Sequence, residues 1–184
     1  MANTRRNLAA TLAMAATVLV CASAMAEEHQ ARIVLRVTDY ASIPIGQLGR
    51  AQAEVTKVYA QIGVEVVWTT SDTATYTVLI LSQEPAVKFI AAEHVADNVL
   101  GQAVRGLKRA YIFKDRVREA STRAPIDFQK LLGKVIAHEV GHLLLTSGHS
   151  ATGIMRAGMQ VRNSDSAWFT KAQGADIRMA SARE

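Results

Sequence analysis

Cysteine is all but absent from this chain of 184 residues: Cys21 is the only one. It falls in an N-terminal stretch that reads as a removable leader. The mature chain is therefore expected to carry no disulfide and no thiolate chemistry, so any metal site must be built from histidines and carboxylates. Proline is scarce, with three residues, and no Pro/Gly/Ser-rich stretch marks a linker or a domain boundary. Internal repeats and low-complexity segments are missing as well. Aromatic residues make up 5% of the chain, and they do not interleave with its basic residues as a stacking platform for single-stranded nucleic acid requires. Beyond residue 26 no apolar run is long enough to span a bilayer, which takes about 20 residues.

The chain opens with a short segment carrying Arg5 and Arg6, then an apolar, Ala-rich run over 8–22, then Ala24-Met25-Ala26. That is the order of a secretory signal peptide with a small-x-small cleavage site. The expectation is a signal peptide over 1–26, a single domain over 27–184, export to the periplasm or the medium, and no membrane span after cleavage. A lipoprotein anchor at Cys21 is disfavoured by Val20, which stands where a small residue is wanted. The formal charge of +5 falls to +3 when Arg5 and Arg6 leave with the leader. The basic excess is concentrated in 105–134, where nine Lys/Arg face only Asp115, Glu119 and Asp127. Such a run reads as a solvated face, with no nucleic acid partner.

Hydrophobic periodicity outlines the elements. Residues 31–38 (ARIVLRVT) alternate and are β-branched, as a strand requires. Residues 47–62 place Leu48, Ala51, Val55, Val58, Tyr59 and Ile62 at helical spacing, and Gly63 ends the run. Strands are expected at 64–69, 75–82 and 109–114, and an edge strand at 99–104. Residues 84–96 are ambiguous, with a short helix after Pro85 as one reading. Residues 126–145 form a strong helix with Phe128, Leu131, Leu132, Val135, Ile136, Val140, Leu143 and Leu144 as its apolar positions. A loop runs from there to about 163. A last helix follows Phe169, with Thr170 as N-cap and Gln173 completing a capping box. The fold class is α+β: a twisted mixed sheet packed by two long helices, the second of them followed by a loop and a C-terminal helix. Trp68 and Trp168 are assigned to the core. His29, close to the new N-terminus, is expected to be disordered, and His94, without partners, is assigned to the surface or to a cap.

The chemistry is concentrated in His138-Glu139-Val140-Gly141-His142. Residues at i and i+4 share one helix face, so both imidazoles can meet one zinc ion at about 2.0–2.1 Å. Glu139 lies beside them, suited to act as a base on water rather than to bind the metal. Catalytic zinc usually takes three protein ligands and keeps one open position. His149, just past the helix after Ser147-Gly148, is the first candidate for the third ligand. Asp165 and Asp176 are the rivals, as acidic ligands from a later segment.

His138-Glu139-x-x-His142, a third histidine beyond a glycine and then Met155 together resemble the metzincin zinc metallopeptidases, in particular the small matrixin- or archaemetzincin-like ones. The resemblance implies zinc at His138, His142 and His149, with Glu139 as catalytic base. It places Met155 beneath the metal as the Met-turn residue, and an edge strand at 99–104 that binds the peptide substrate antiparallel. Two departures stand out. Leu145 occupies the position of the pattern's glycine, and His149 comes seven residues after His142 instead of six. The implied function is an exported zinc endopeptidase acting on a peptide or protein. The alternatives are a zinc-binding module without proteolytic activity, and a zinc hydrolase of a non-protein amide such as a cell-wall peptide.

Overall fold

The structure, a computed structural model, describes residues 31–158 and 167–183. The leader expected over 1–26, His29 and Asp165 lie outside these. Five strands form one mixed sheet in the order β2-β1-β3-β5-β4. They are β1 (Arg32–Asp39), β2 (Glu65–Thr69), β3 (Tyr76–Leu81), β4 (Gly101–Val104) and β5 (Arg109–Phe113). The first four in that order run parallel, and β4 runs antiparallel to β5 at the edge. Parallel neighbours need crossovers, usually helical. Helix α1 (Ile45–Ala60) joins β1 to β2, and α2 (Gln83–Glu93) follows β3. Among the described residues three further helices follow β5: α3 (Lys114–Arg123), α4 (Phe128–Leu144) and α5 (Lys171–Ser181).

One sheet face carries the main core. Ile33 and Leu35 of β1, Val78 and Ile80 of β3, and Ala110 and Ile112 of β5 are buried in a single cluster with residues of α1 and α4. Helix α1 buries Ala51, Val55, Val58 and Tyr59, the spacing of a single stripe. That stripe packs closely on α4: a Cβ on Gly133 would lie 2.6 Å from the Ala51 carbonyl oxygen and 2.6 Å from Glu54 Cβ. Only a glycine lets the two long helices approach this far. The opposite sheet face holds a smaller cluster of Leu81, Ala86 and Phe113, covered by Phe89 and Ile90 of α2.

Capping explains where the later helices start. The Asp127 carboxylate accepts the Lys130 N–H at 2.9 Å at the head of α4. At the head of α5, Thr170 and Gln173 form the expected capping box. The ambiguous segment 84–96 is helical over Gln83–Glu93 and is ended by His94 in the left-handed region (φ 54°). The edge strand is shorter than expected, starting at Gly101. Helix α3 was not anticipated: it buries only Val117, Ala120 and Ser121 among charged neighbours. Both tryptophans pack half-buried against the core.

Candidate metal centre

Helix α4 delivers His138 and Glu139 buried and His142 half-buried, one turn apart on the face beside β4. The helix ends at Leu144, and the chain turns through Thr146, Ser147 and Gly148 to bring back an exposed His149. The Nε2 atoms converge: His142 lies 3.1 Å from His138 and 3.2 Å from His149. His142 stands edge-on to both other rings, at 85° and 87°.

The states of His138 and His142 follow from their surroundings. His138 Nδ1 lies 2.6 Å from the Ile154 carbonyl oxygen, which can only accept, so Nδ1 carries the proton and Nε2 presents its lone pair. Burial lowers the His138 pKa against the opposing pull of that carbonyl. Burial also lowers His142 to about 4, helped by the charges of His138, His149 and Arg105. Neutral imidazole is the form that binds metal. Tetrahedral zinc at about 2.0–2.1 Å from each nitrogen sets ligand nitrogens roughly 3.3 Å apart. The donor set therefore fits zinc in atom type and spacing. The three histidines form the one group of metal-binding character among the described residues; Asp176, exposed on α5, is not part of it.

Glu139 faces the edge strand. The Ala103 N–H donates to its carboxylate, but burial dominates and pushes its pKa to about 8. The fit is close, because a Cβ on Gly101 would lie 2.9 Å from Glu139 Cγ and 3.1 Å from Oε1. A cleft of about 800 Å³ opens in front of these residues, lined by β4, the 93–100 segment, α3 and the three histidines. Met155 is fully buried beneath α4, and a Cβ on Gly141 would meet its Sδ at 2.6 Å.

The fold is similar to that of zinc-dependent peptidases. The crystal structure of a zinc-dependent peptidase from Methanocorpusculum labreanum superposes with a TM-score of 0.55 and 15% identity, over 78% of this chain and 99% of that one. Archaemetzincin from Methanopyrus kandleri superposes with a TM-score of 0.53 and 14% identity, over 82% and 96%. At such identities the likeness is one of fold. No family model matches the chain, and no curated protein matches it by sequence.

Four residues around the site were not singled out from the sequence. The Ile154 carbonyl orients His138. Gln173, beyond its capping role, donates to Ser150 Oγ at 3.1 Å beside His149. Lys134, counted there within a solvated basic run, is fully buried four residues before His138. Arg105, counted in the same run, reaches the end of α4. Helical spacing from His138 could have exposed Lys134; the others answer to contacts distant in sequence.

Proposed function

We propose that this protein is an exported zinc-dependent endopeptidase in which His138, His142 and His149 hold the metal and Glu139 is the general base. The observation that carries the reading is the convergence of three imidazole nitrogens at ligand spacing beside a buried carboxylate that borders an open cleft. Zinc held there supplies a Lewis acid that lowers the pKa of water to about 7, polarises a carbonyl and favours the ionised form of Glu139. Glu139 takes a proton from the attacking water as its oxygen bonds to the amide carbon. It delivers that proton to the amide nitrogen as the C–N bond breaks, leaving a carboxylic acid and an amine.

The substrate backbone lies antiparallel along β4, whose outer edge borders the cleft. The Ala103 N–H, which reaches Glu139, marks the side of β4 that faces the site. Met155 serves as the packing residue beneath the metal ligands. Export rests on the leader pattern over 1–26. The presence of Glu139 favours an enzyme over a purely structural zinc module, which has no use for a base.

The test is the metal content of the purified mature protein, with its N-terminus read in the same preparation. The expected result is near one zinc per chain, a start near Glu27, and a sharp loss of zinc in His149→Ala. Glu139→Gln keeps zinc and loses about 10²–10⁴-fold of hydrolysis on a panel of peptides, proteins and cell-wall peptides. A protein that takes up no zinc even on reconstitution refutes the reading. Undiminished turnover in Glu139→Gln refutes the mechanism.

A further inference from the structure

Helix α4 ends without the usual device. Many helices close on a glycine in the left-handed region, which lets the chain fold back onto the orphaned carbonyls of the last turn. Here the residue at the end is Leu145, buried and extended (φ −87°, ψ 135°). Its N–H still reaches the Gly141 carbonyl oxygen at 2.8 Å, but the carbonyls of His142 and Leu145 must find donors elsewhere. Arg105 supplies them. Its Nε and Nη2 donate to the His142 carbonyl oxygen at 3.1 and 2.8 Å, and Nη2 also donates to the Leu145 carbonyl oxygen. Arg105 follows directly on β4, so its guanidinium links the edge strand to the exit of the histidine helix.

The segment beyond that exit has little else to hold it. Thr146, Ser147, Gly148 and His149 are all exposed, and a Cβ on Gly148 would meet nothing within 4 Å. The next anchor is Ser150, whose N–H donates to the Met155 carbonyl oxygen at 2.9 Å and whose hydroxyl accepts from Gln173. His149 therefore hangs between two pinned points, one of them made by Arg105.

We propose that Arg105 is a positioning residue for the metal centre: by tying the His142 and Leu145 carbonyls to β4 it sets where the chain leaves α4 and so how His149 meets the other two imidazoles. This rests on the reading of the three histidines as a zinc site. The sign of the effect separates it from a simple charge effect. A guanidinium beside a cation site repels the cation, so its removal would tighten zinc binding if charge were all that mattered. If Arg105 places a ligand, its removal weakens binding.

The experiment measures zinc affinity by competition with a chromophoric chelator for the mature protein, Arg105→Met, Arg105→Lys, His149→Ala and the Arg105→Met/His149→Ala double variant. Metal-free thermal melts accompany each. The expected loss in Arg105→Met is about 10–100-fold, the usual effect of removing a group that orients a metal ligand. Arg105→Lys recovers part of it. In the His149→Ala background the Arg105 substitution adds little, because the two act through one ligand. Unchanged or tighter binding in Arg105→Met overturns the inference. So does a full additive loss in the double variant, which would mean that Arg105 acts elsewhere. A lower melting temperature with unchanged zinc affinity assigns Arg105 to stability alone and overturns it too. If Arg105→Met does not fold, Arg105→Gln, which keeps a shorter donor, replaces it with the same expectations. Absence of zinc from the unaltered protein removes the metal-site reading itself, an outcome distinct from all of these.

Discussion

Replacing Lys134 by methionine is expected to destabilise the metal-free protein by about 3–4 kcal/mol, although the two side chains are similar in length. Lys134 is fully buried on α4. Its Nζ lies 3.3 Å from Glu54 Oε1 on α1, donates to the Ala167 carbonyl oxygen at 2.8 Å, and sits 3.6 Å from the centroid of the Trp168 ring. Methionine removes all three contacts but relieves the burial of an ammonium. That burial is costly: it lowers the Lys134 pKa despite the opposing attraction of Glu54. The dominant loss is therefore the Glu54 carboxylate, 11% exposed and left without its cation. Breaking a buried pair from one side typically costs about 3–5 kcal/mol. The bond to Ala167 and the ring contact add smaller, non-additive amounts, and the relieved ammonium offsets part of the total. Urea unfolding at pH 7, with the slope checked for constancy, reads the difference. The paired substitution Lys134→Met/Glu54→Leu removes both charges and should lie within about 1–2 kcal/mol of the parent, since a buried pair and an apolar replacement are often near equal. A single-variant loss below about 1 kcal/mol, or a double variant as unstable as the single, would refute the reasoning. The contacts also lead to the site: the Trp168 carbonyl oxygen accepts the Ile154 N–H at 2.9 Å, and the Ile154 carbonyl holds His138.

Two further perturbations have outcomes that the structure sets. Gly141→Ala gains about 1 kcal/mol of helix propensity but places a methyl 2.6 Å from Met155 Sδ and 3.0 Å from Phe169 Cε1. Overpacking of that kind costs about 1–3 kcal/mol, so a lower urea midpoint is expected, and a raised one would show that Met155 yields freely. Tyr59 is fully buried, donates to the Ala137 carbonyl oxygen at 3.2 Å, and has its pKa raised well above 10.0 by burial first and Tyr76 second. The folded chain thus keeps a proton that the unfolded chain loses above about pH 10, and stability falls there by up to about 1.4 kcal/mol per pH unit. Tyr59→Phe removes this share of the alkaline fall at a cost near 1 kcal/mol at neutral pH; an alkaline limb that is equally steep in both proteins would refute the assignment.

What the sequence disclosed and what it withheld divide along the distance between interacting residues. His138, Glu139 and His142 are legible because a helix turn is a local rule: residues four apart meet whatever the rest of the chain does. The capping box of Thr170 and Gln173 is legible for the same reason. Alternation marked β1 because Ile33 and Leu35 turn to the main core while their neighbours along the strand do not. Helix α3 was hidden because three buried positions among seven other residues, mostly charged and polar, give too thin a stripe for periodicity to register. Lys134 was misjudged on residue type. It was grouped with solvated cations, although its spacing from Leu131 and His138 sets it on the inward face of α4. Arg105 offers no such local clue. Its partners lie 37 and 40 residues away and are backbone carbonyls, which every residue possesses. The Ile154 carbonyl that fixes the His138 tautomer is equally anonymous in sequence. Ligand types are therefore written in the side chains, whereas ligand orientation depends on main-chain groups that only the folded topology selects. The departure at Leu145 shows the consequence. Without a left-handed glycine, the helix exit needs a donor from outside α4, and the antiparallel edge strand is the element that ends close enough to provide it.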